Sequence, residues 1–369
     1  MRIGIDGREQ YAEKRGIGRY VHELCRALHP LLPDAEFFIY SNMAIELPVR
    51  SRRWTLRTDP SRWGRRLSPL LWLKLRAGTL ARRDRLDVFW GATAFLPRLP
   101  KSVRTVVCVH DLCHIYTPET FDPIHLLGIR MFFGADIRRA DVVLATSNGT
   151  MERLEQRVSR RADAIVSPAV GEMFQRASQE VVARCRERYG LPESYILTVA
   201  AWERRKNIAT LTRAFLSLQR KGMLAQHRLV LVGKGSDRAS GELLGLLERD
   251  DGRAVTALGF VPDEDLPALY SGADAFVLAS LYEGFGIPVV EARACGTRVV
   301  VTDMPELREA GGNDAVYIEP SEEGIRRGLM EALARPIPSA PPMDLPDWQD
   351  GARTLARFLA GSARAGQNF

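Results

Sequence analysis

Cysteine is sparse in this sequence and follows no pattern. The five cysteines, Cys25, Cys108, Cys113, Cys185 and Cys295, are odd in number, scattered over 369 residues and without a Cys-x2-Cys pair. That excludes a disulfide framework and gives no basis for a structural zinc site. Long apolar runs are missing too: none approaches the roughly eighteen residues that a membrane-crossing helix needs. The opening MRIGIDGREQ lacks the apolar core of a signal peptide, so the protein is expected in the cytoplasm. No fixed-period repeat is present, which argues against a solenoid or propeller.

What is there is the composition of a water-soluble globular chain, 46% hydrophobic and 26% charged, long enough to need two domains or more. Charge is unevenly placed. Between Arg50 and Arg85 twelve Lys or Arg face only Asp59 and Asp84, so the net +7 is regional and the remainder of the chain is net negative. Trp54, Trp63, Leu67, Leu70, Leu71, Trp72 and Leu75 lie among these cations. Basic stems with Trp and Leu suit an anionic membrane surface; nucleic acid and an ordinary solvated face are the other readings of such charge.

The most informative stretch is ADAFVLASLYEGFGIPVVEARACG, Ala273 to Gly296. Its apolar run Ala275 to Leu278 predicts a buried parallel strand. Gly284, Phe285 and Gly286 then lead into Pro288, which fits a first helical turn because its missing N–H would have no intrahelical partner there. The helix is expected to start at about Ile287. Free N–H groups at its N-terminus and glycines before it suit the close approach of a phosphate. Glu283 just outside the helix and Glu291 about one turn inside it bracket that position, as carboxylates that can accept hydrogen bonds from sugar hydroxyls.

The remaining chain alternates strands and helices, the pattern of parallel sheets covered on both faces. Strand, glycine turn (Gly16, Gly18) and helix open the chain, with Val21, Leu24, Cys25 and Leu28 at helical spacing. Strands are predicted near Phe37, Asp87 to Trp90 and Val103 to Val109. The last ends in His110-Asp111, and ligands of open parallel sheets bind beyond the carboxyl ends of strands. Ser147 is a plausible N-cap. A second series begins at Tyr195, where YILTVAA runs into ERRKN and an amphipathic helix, placing Arg204, Arg205 and Lys206 where cations meet a bound anion. After the proline-rich PIPSAPPMDLP, a final helix carries Leu355, Phe358 and Leu359 on one face.

Together, GIGRYVHEL at Gly16, VHDL at Val109, ERRKN at Glu203, LGFVPDEDLPALY at Leu258, SLYEGFGIPVVEARACGTRVV at Ser280 and the terminal helix at Trp348 resemble the retaining GT4-type glycosyltransferases of the GT-B fold, the branch that elongates bacterial polysaccharides. Ala279 and Arg204 stand where the family commonly has proline, and Ala200 where it has glycine near the diphosphate.

The resemblance implies an α/β chain of two Rossmann-like domains facing across a cleft. The acceptor-binding domain would be 1–172 and the nucleotide-sugar domain 173–335, with 336–369 a connector and helix returning to the first. By position, Lys206 and Arg205 would neutralise the donor diphosphate. Gly284, Phe285 and Gly286 would offer backbone N–H groups, Glu283 would reach hexose hydroxyls, and Glu291 would hold the ribose. Gly16 and Gly18 would let the N-terminal loop approach the donor. His110 would contact the transferred sugar and Asp111 the acceptor side.

His110, Lys206 and Glu283 are thus the residues expected at the reacting sugar. No cofactor or metal is expected, and no nucleic acid. GDP-mannose is the first choice of donor, ahead of dTDP-rhamnose, GDP-fucose and UDP-hexoses. The acceptor would be a saccharide or lipid-linked saccharide. The rival function is a nucleotide-sugar-binding partner without transfer activity.

Overall fold

The computed structural model describes residues 1–9, 16–235, 241–250, 252–338, 340 and 342–361. Contacts gather the chain into two units. Unit 1 comprises Met1–Ile115, Phe121–Ala169 and the residues from Pro346 on; unit 2 comprises Tyr116–Thr120 and Val170–Leu345. The sequence reading puts the changes at 172/173 and 335/336, whereas the connector 336–345 clusters with unit 2. There Arg176 donates to the Pro338 carbonyl at 2.5 Å, and Arg293 pairs with Asp344 at 2.7 Å.

Unit 1 holds a seven-stranded sheet built from β1 (Arg2–Asp6), β2 (Glu36–Ser41), β3 (Trp54–Thr58), β4 (Val88–Gly91), β5 (Arg104–Val109), β6 (Val142–Ala145) and β7 (Ala164–Ile165). Their order is β3-β2-β1-β4-β5-β6-β7 and every pairing is parallel. Short apolar runs such as Val142–Ala145 are buried throughout, because helices cover both faces.

The helix Ile17–Leu31 buries Val21, Leu24, Cys25 and Leu28, the residues the 3.6 period selects. Against it packs the helix Trp348–Leu359, which buries Trp348, Ala352, Leu355 and Leu359. Trp348 and Tyr20 meet edge to face at 5.9 Å. Ser147 caps the helix Asn148–Val158 by accepting from the Thr150 N–H.

Unit 2 holds a six-stranded parallel sheet of β8 (Tyr195–Val199), β9 (Arg228–Val232), β10 (Val255–Gly259), β11 (Ala275–Leu278), β12 (Val299–Thr302) and β13 (Val316–Ile318), in the order β10-β9-β8-β11-β12-β13. Two apolar clusters line its faces. In both sheets the strand order reverses beside the first strand, between β1 and β4 and between β8 and β11. Such a reversal opens a crevice at the carboxyl ends of the strands.

Two sequence expectations are corrected here. Trp54 and Trp72 do not reach an interface with lipid, because both are buried. Trp54 belongs to β3, a strand hidden in the basic stretch; it stacks on Phe37 at 4.2 Å and donates to His29 Nδ1 at 3.1 Å. Trp72 donates to Asp59 at 2.9 Å, and Asp59 also takes Arg76 at 3.0 Å. Of the three tryptophans only Trp63 is exposed. The turn expected at Gly16 and Gly18 is narrower too. Gly16, with φ of 52°, caps the helix, whereas Gly18 lies inside it and is buried. Only the first needs the left-handed region that glycine tolerates; the loop before it, 10–15, lies outside the described residues.

Candidate functional site

The crevice of unit 2 is built by the loops after β8 and β11. Beyond β8, Arg204–Lys206 form one 3-10 turn, and Asn207, with φ of 57°, opens the helix Ile208–Arg220. Asn207 Nδ2 donates to the carbonyls of Ala279 (3.0 Å) and Pro320 (2.9 Å), and the Leu281 N–H donates to the Arg205 carbonyl at 2.7 Å. These bonds stitch the basic turn to the end of β11, so the cations are held by backbone rather than left on a free loop.

Beyond β11, the helix Ile287–Ala294 starts where Pro288 predicts. Its cap, Gly286, has φ of 101°, and a Cβ there would come within 2.6 Å of Leu307. Both the backbone angle and the space require glycine.

Charge converges on Glu283. Lys206 Nζ donates to its Oε1 at 2.5 Å, Ser280 Oγ to the same oxygen at 2.7 Å, and Arg205 to Oε2 at 3.3 Å. Arg205 also donates to Glu203 at 2.8 Å. Burial alone would raise the Glu283 carboxyl. Lys206, then Arg205, and the hydrogen bonds from Lys206 and Ser280 outweigh it and hold the group below its ordinary value. Glu283 is therefore an anion at neutral pH. An ammonium has three N–H donors, and only the bond to Glu283 takes one of them among the described residues. Glu291 lies one turn into the helix, buried, and accepts from the Tyr270 hydroxyl at 3.0 Å.

The crevice of unit 1 carries a different set. His110 follows β5, and its Nε2 lies 2.6 Å from the Ala92 carbonyl. A carbonyl only accepts, so Nε2 carries the proton. Burial lowers the His110 pKa, against the Ala92 hydrogen bond and Asp111, which raise it. The neutral ring then presents Nδ1 as an acceptor. Tyr20 meets the ring edge-on at 4.8 Å and fixes its plane. Asp111 Oδ1 accepts from the Cys113 N–H at 2.9 Å and so caps a short turn.

At the switch between β1 and β4, Arg8 bonds Asp6 through Nε (2.8 Å) and a terminal nitrogen (2.7 Å), and Thr93 bridges both residues.

The structure thus brings Arg205, Lys206, Glu283, Gly284–Gly286 and Glu291 together in unit 2, and places His110, Asp111, Gly16 and Gly18 in unit 1. Sequence reasoning missed Ser280, Tyr270, Glu203 and the Asp6–Arg8–Thr93 cluster. Ser280, three residues before Glu283, had a local signal; Tyr270 reaches Glu291 only through tertiary packing. Sequence reasoning also assigned no metal motif, although Asp263-Glu264-Asp265 has Asp-x-Asp spacing. In the fold Asp265 is taken by the Tyr189 hydroxyl at 2.5 Å and by Arg188 at 2.9 Å.

Residues 14–170 match the family model described as Glycosyltransferase Family 4, and residues 185–340 match that of Glycosyl transferases group 1. Together the two matches take in most of the chain, one in each unit. The chain belongs to the GT4-type glycosyltransferases.

This glycosyltransferase is 33% identical over 245 residues to the serotype-specific mannosyltransferase WbdA of Escherichia coli, a match covering 62% of the chain but only 29% of WbdA. The chain therefore spans under a third of the length of that relative. It is 28% identical over 338 residues to O-antigen chain mannosyltransferase B of Escherichia coli, covering 86% of the chain and 87% of the relative. A sucrose-phosphate synthase from Thermosynechococcus elongatus has the same fold, with a TM-score of 0.75 at 18% identity over 99% of this glycosyltransferase and 100% of that chain. The fold is GT-B, two Rossmann-like domains. Among the described residues no helix is long and apolar enough to cross a membrane.

Proposed function

We propose that this glycosyltransferase transfers a hexose, with retention of anomeric configuration, from a nucleotide-sugar to a saccharide or lipid-linked saccharide of a bacterial surface polysaccharide. Mannose from GDP-mannose is the first candidate, in keeping with the mannosyltransferases it is similar to. The observation that carries the reading is the fixed pair Arg205 and Lys206 facing the glycine loop and the helix Ile287–Ala294 across one crevice of unit 2.

Departure of a nucleoside diphosphate builds negative charge, and preorganised donors that stabilise it lower the barrier. Lys206 can keep Glu283 and still direct N–H groups at a phosphate. Arg205 and the Gly284–Gly286 backbone add further donors, so transfer needs neither metal nor organic cofactor. Glu283, anionic and tightly held, accepts from hexose hydroxyls and acts as a donor-binding group rather than a nucleophile. Glu291, steadied by Tyr270, takes the ribose. In unit 1 the Nδ1 of neutral His110 accepts from a sugar hydroxyl, Asp111 serves the acceptor side, and Gly16 allows close approach of the chain. The enzyme works in the cytoplasm, at the inner face of the membrane, attached through the basic residues of 50–85. Arg62, Arg65, Arg66, Arg82 and Arg83 support this attachment, being exposed and without an ion pair among the described residues.

The test is a transfer assay over a panel of nucleotide-sugars with EDTA present, together with calorimetry of nucleoside diphosphate binding. Transfer from GDP-mannose in EDTA is expected. Binding of a nucleotide-sugar with no transfer to any acceptor would leave a non-catalytic partner. Activity abolished by EDTA and restored by magnesium would refute the metal-free mechanism.

A further inference from the structure

The helix Pro123–Arg139 of unit 1 is apolar on two opposite sides. Ile129, Phe133 and Ile137 face the unit's interior and are buried. On the other side Ile124, Leu127 and Met131 follow at helical spacing and are 82%, 62% and 60% exposed. A core helix needs one apolar stripe; the second has no structural purpose within unit 1, and contiguous exposed apolar surface marks an interaction site.

The stripe does not stand alone. The helical segment Pro69–Arg83 runs alongside: Leu70 lies 3.6 Å from where a Gly128 Cβ would stand, Lys74 is ion-paired with Asp136, and the Lys74 ammonium sits 4.7 Å from the Phe132 ring centre. This neighbour exposes Leu71 and Leu75, and Trp63 on the short helix before it lies exposed with the Arg76 guanidinium 5.9 Å from its ring centre. Arg62, Arg65, Arg66, Arg82 and Arg83 are exposed on the same segments, and Arg130 and Arg138 on the helix itself. None of the seven has an ion pair among the described residues. Asp122, two residues before Ile124, caps the helix by accepting from the Ile124 and His125 N–H groups.

We infer that Ile124, Leu127 and Met131, with Leu71, Leu75 and Trp63, form a surface that inserts into the headgroup boundary of an anionic bilayer, the surrounding arginines pairing with its phosphates. This deepens the attachment proposed above. It names a helix outside 50–85 as the inserting element and makes contact depend on apolar burial as well as charge. Charge complementarity selects the occupant. A second copy meeting the same face across a two-fold axis would bring arginines against arginines.

The test is co-sedimentation of the full chain with vesicles of phosphatidylcholine and phosphatidylglycerol, at low and at high salt. Leu127→Ser with Met131→Ser should weaken binding roughly tenfold at either salt, because apolar transfer is not screened. Arg62→Gln with Arg65→Gln and Arg66→Gln should remove mainly the salt-sensitive part. Leu127→Trp should show a blue-shifted emission on adding vesicles. All replaced side chains face solvent, so thermal unfolding should not change.

The inference is overturned if the double serine variant sediments like wild type. It is equally overturned if wild type ignores anionic vesicles, or if sedimentation velocity finds a wild-type dimer that the serine variant dissociates. Nucleoside diphosphate binding in the same variants should stay at the wild-type level, so this inference and the donor-site reading fail separately.

Discussion

The two sheets place an acid–base pair at the same topological position, and the pairs differ in how they are closed. In unit 1 Asp6 and Arg8 stand two residues apart at the end of one strand. Their side chains are 0% and 3% exposed, and Thr93 from the neighbouring loop completes the bonds. In unit 2 the partners come from different loops: Lys206 follows β8 and Glu283 follows β11, at 12% and 8% exposure, with Arg205 alongside. A buried pair within one loop cements the chain. A pair shared between two loops, with an ammonium that has further donors to offer, can admit a ligand. One switch point is thus closed on itself, and the other is the one we propose for donor binding.

The comparison can be broken by experiment. The largest effect is expected for Asp6→Ala, which takes a buried carboxylate away from both Arg8 and Thr93 and should cost about 3–5 kcal/mol of stability by urea unfolding. Its nucleoside diphosphate affinity, measured under folded conditions, should not change; a loss there would place Asp6 in the ligand site and erase the distinction. Next come Lys206→Ala and Glu291→Ala, each expected to weaken nucleoside diphosphate binding by about 1.5–3 kcal/mol in calorimetry. Unchanged affinity in both would remove the donor-site assignment.

Acid provides a finer cut. The Glu283 carboxyl titrates below its ordinary 4.5 in the folded chain, so its contribution to stability is complete above that value and is lost as pH falls through the depressed one. The stability gap between wild type and Glu283→Gln should therefore be constant around neutrality and shrink only in acid. A gap that changes between neutral and mildly alkaline pH would contradict the pairing. The smallest effect is expected for Tyr270→Phe. It removes one hydrogen bond to Glu291 and should cost about 0.5–1.5 kcal/mol of nucleotide affinity with the fold intact.

Local chemistry made part of this legible in the sequence. Pro288 marks the start of its helix, Ser147 caps another, and the 3.6 period of Val21, Leu24 and Leu28 selects the buried face. β3 escaped because Arg52 and Arg53 before it and Arg57 within it give Trp54–Thr58 the look of a solvated segment. The burial of Trp54 follows from the pairing of β3 with β2 and from stacking on Phe37, seventeen positions earlier in the chain. Trp72 was misjudged for the same reason, since its partner Asp59 is visible only once the chain folds back. At the site, residue types and loop order were readable. Ser280 and Tyr270, which orient the two glutamates, depend on geometry that no spacing reports.

The closure of the first unit by the helix Trp348–Leu359 bears on how the chain is made. Tyr20 and Trp348 share one core, yet more than three hundred residues of translation separate them. A nascent chain ordinarily completes its leading domain first. Here Val170–Leu345 has left the ribosome entire before the leading domain receives its last helix, so the trailing domain is the first that can finish folding. The leading one must wait, with the apolar side of Ile17–Leu31 uncovered until Trp348–Leu359 emerges.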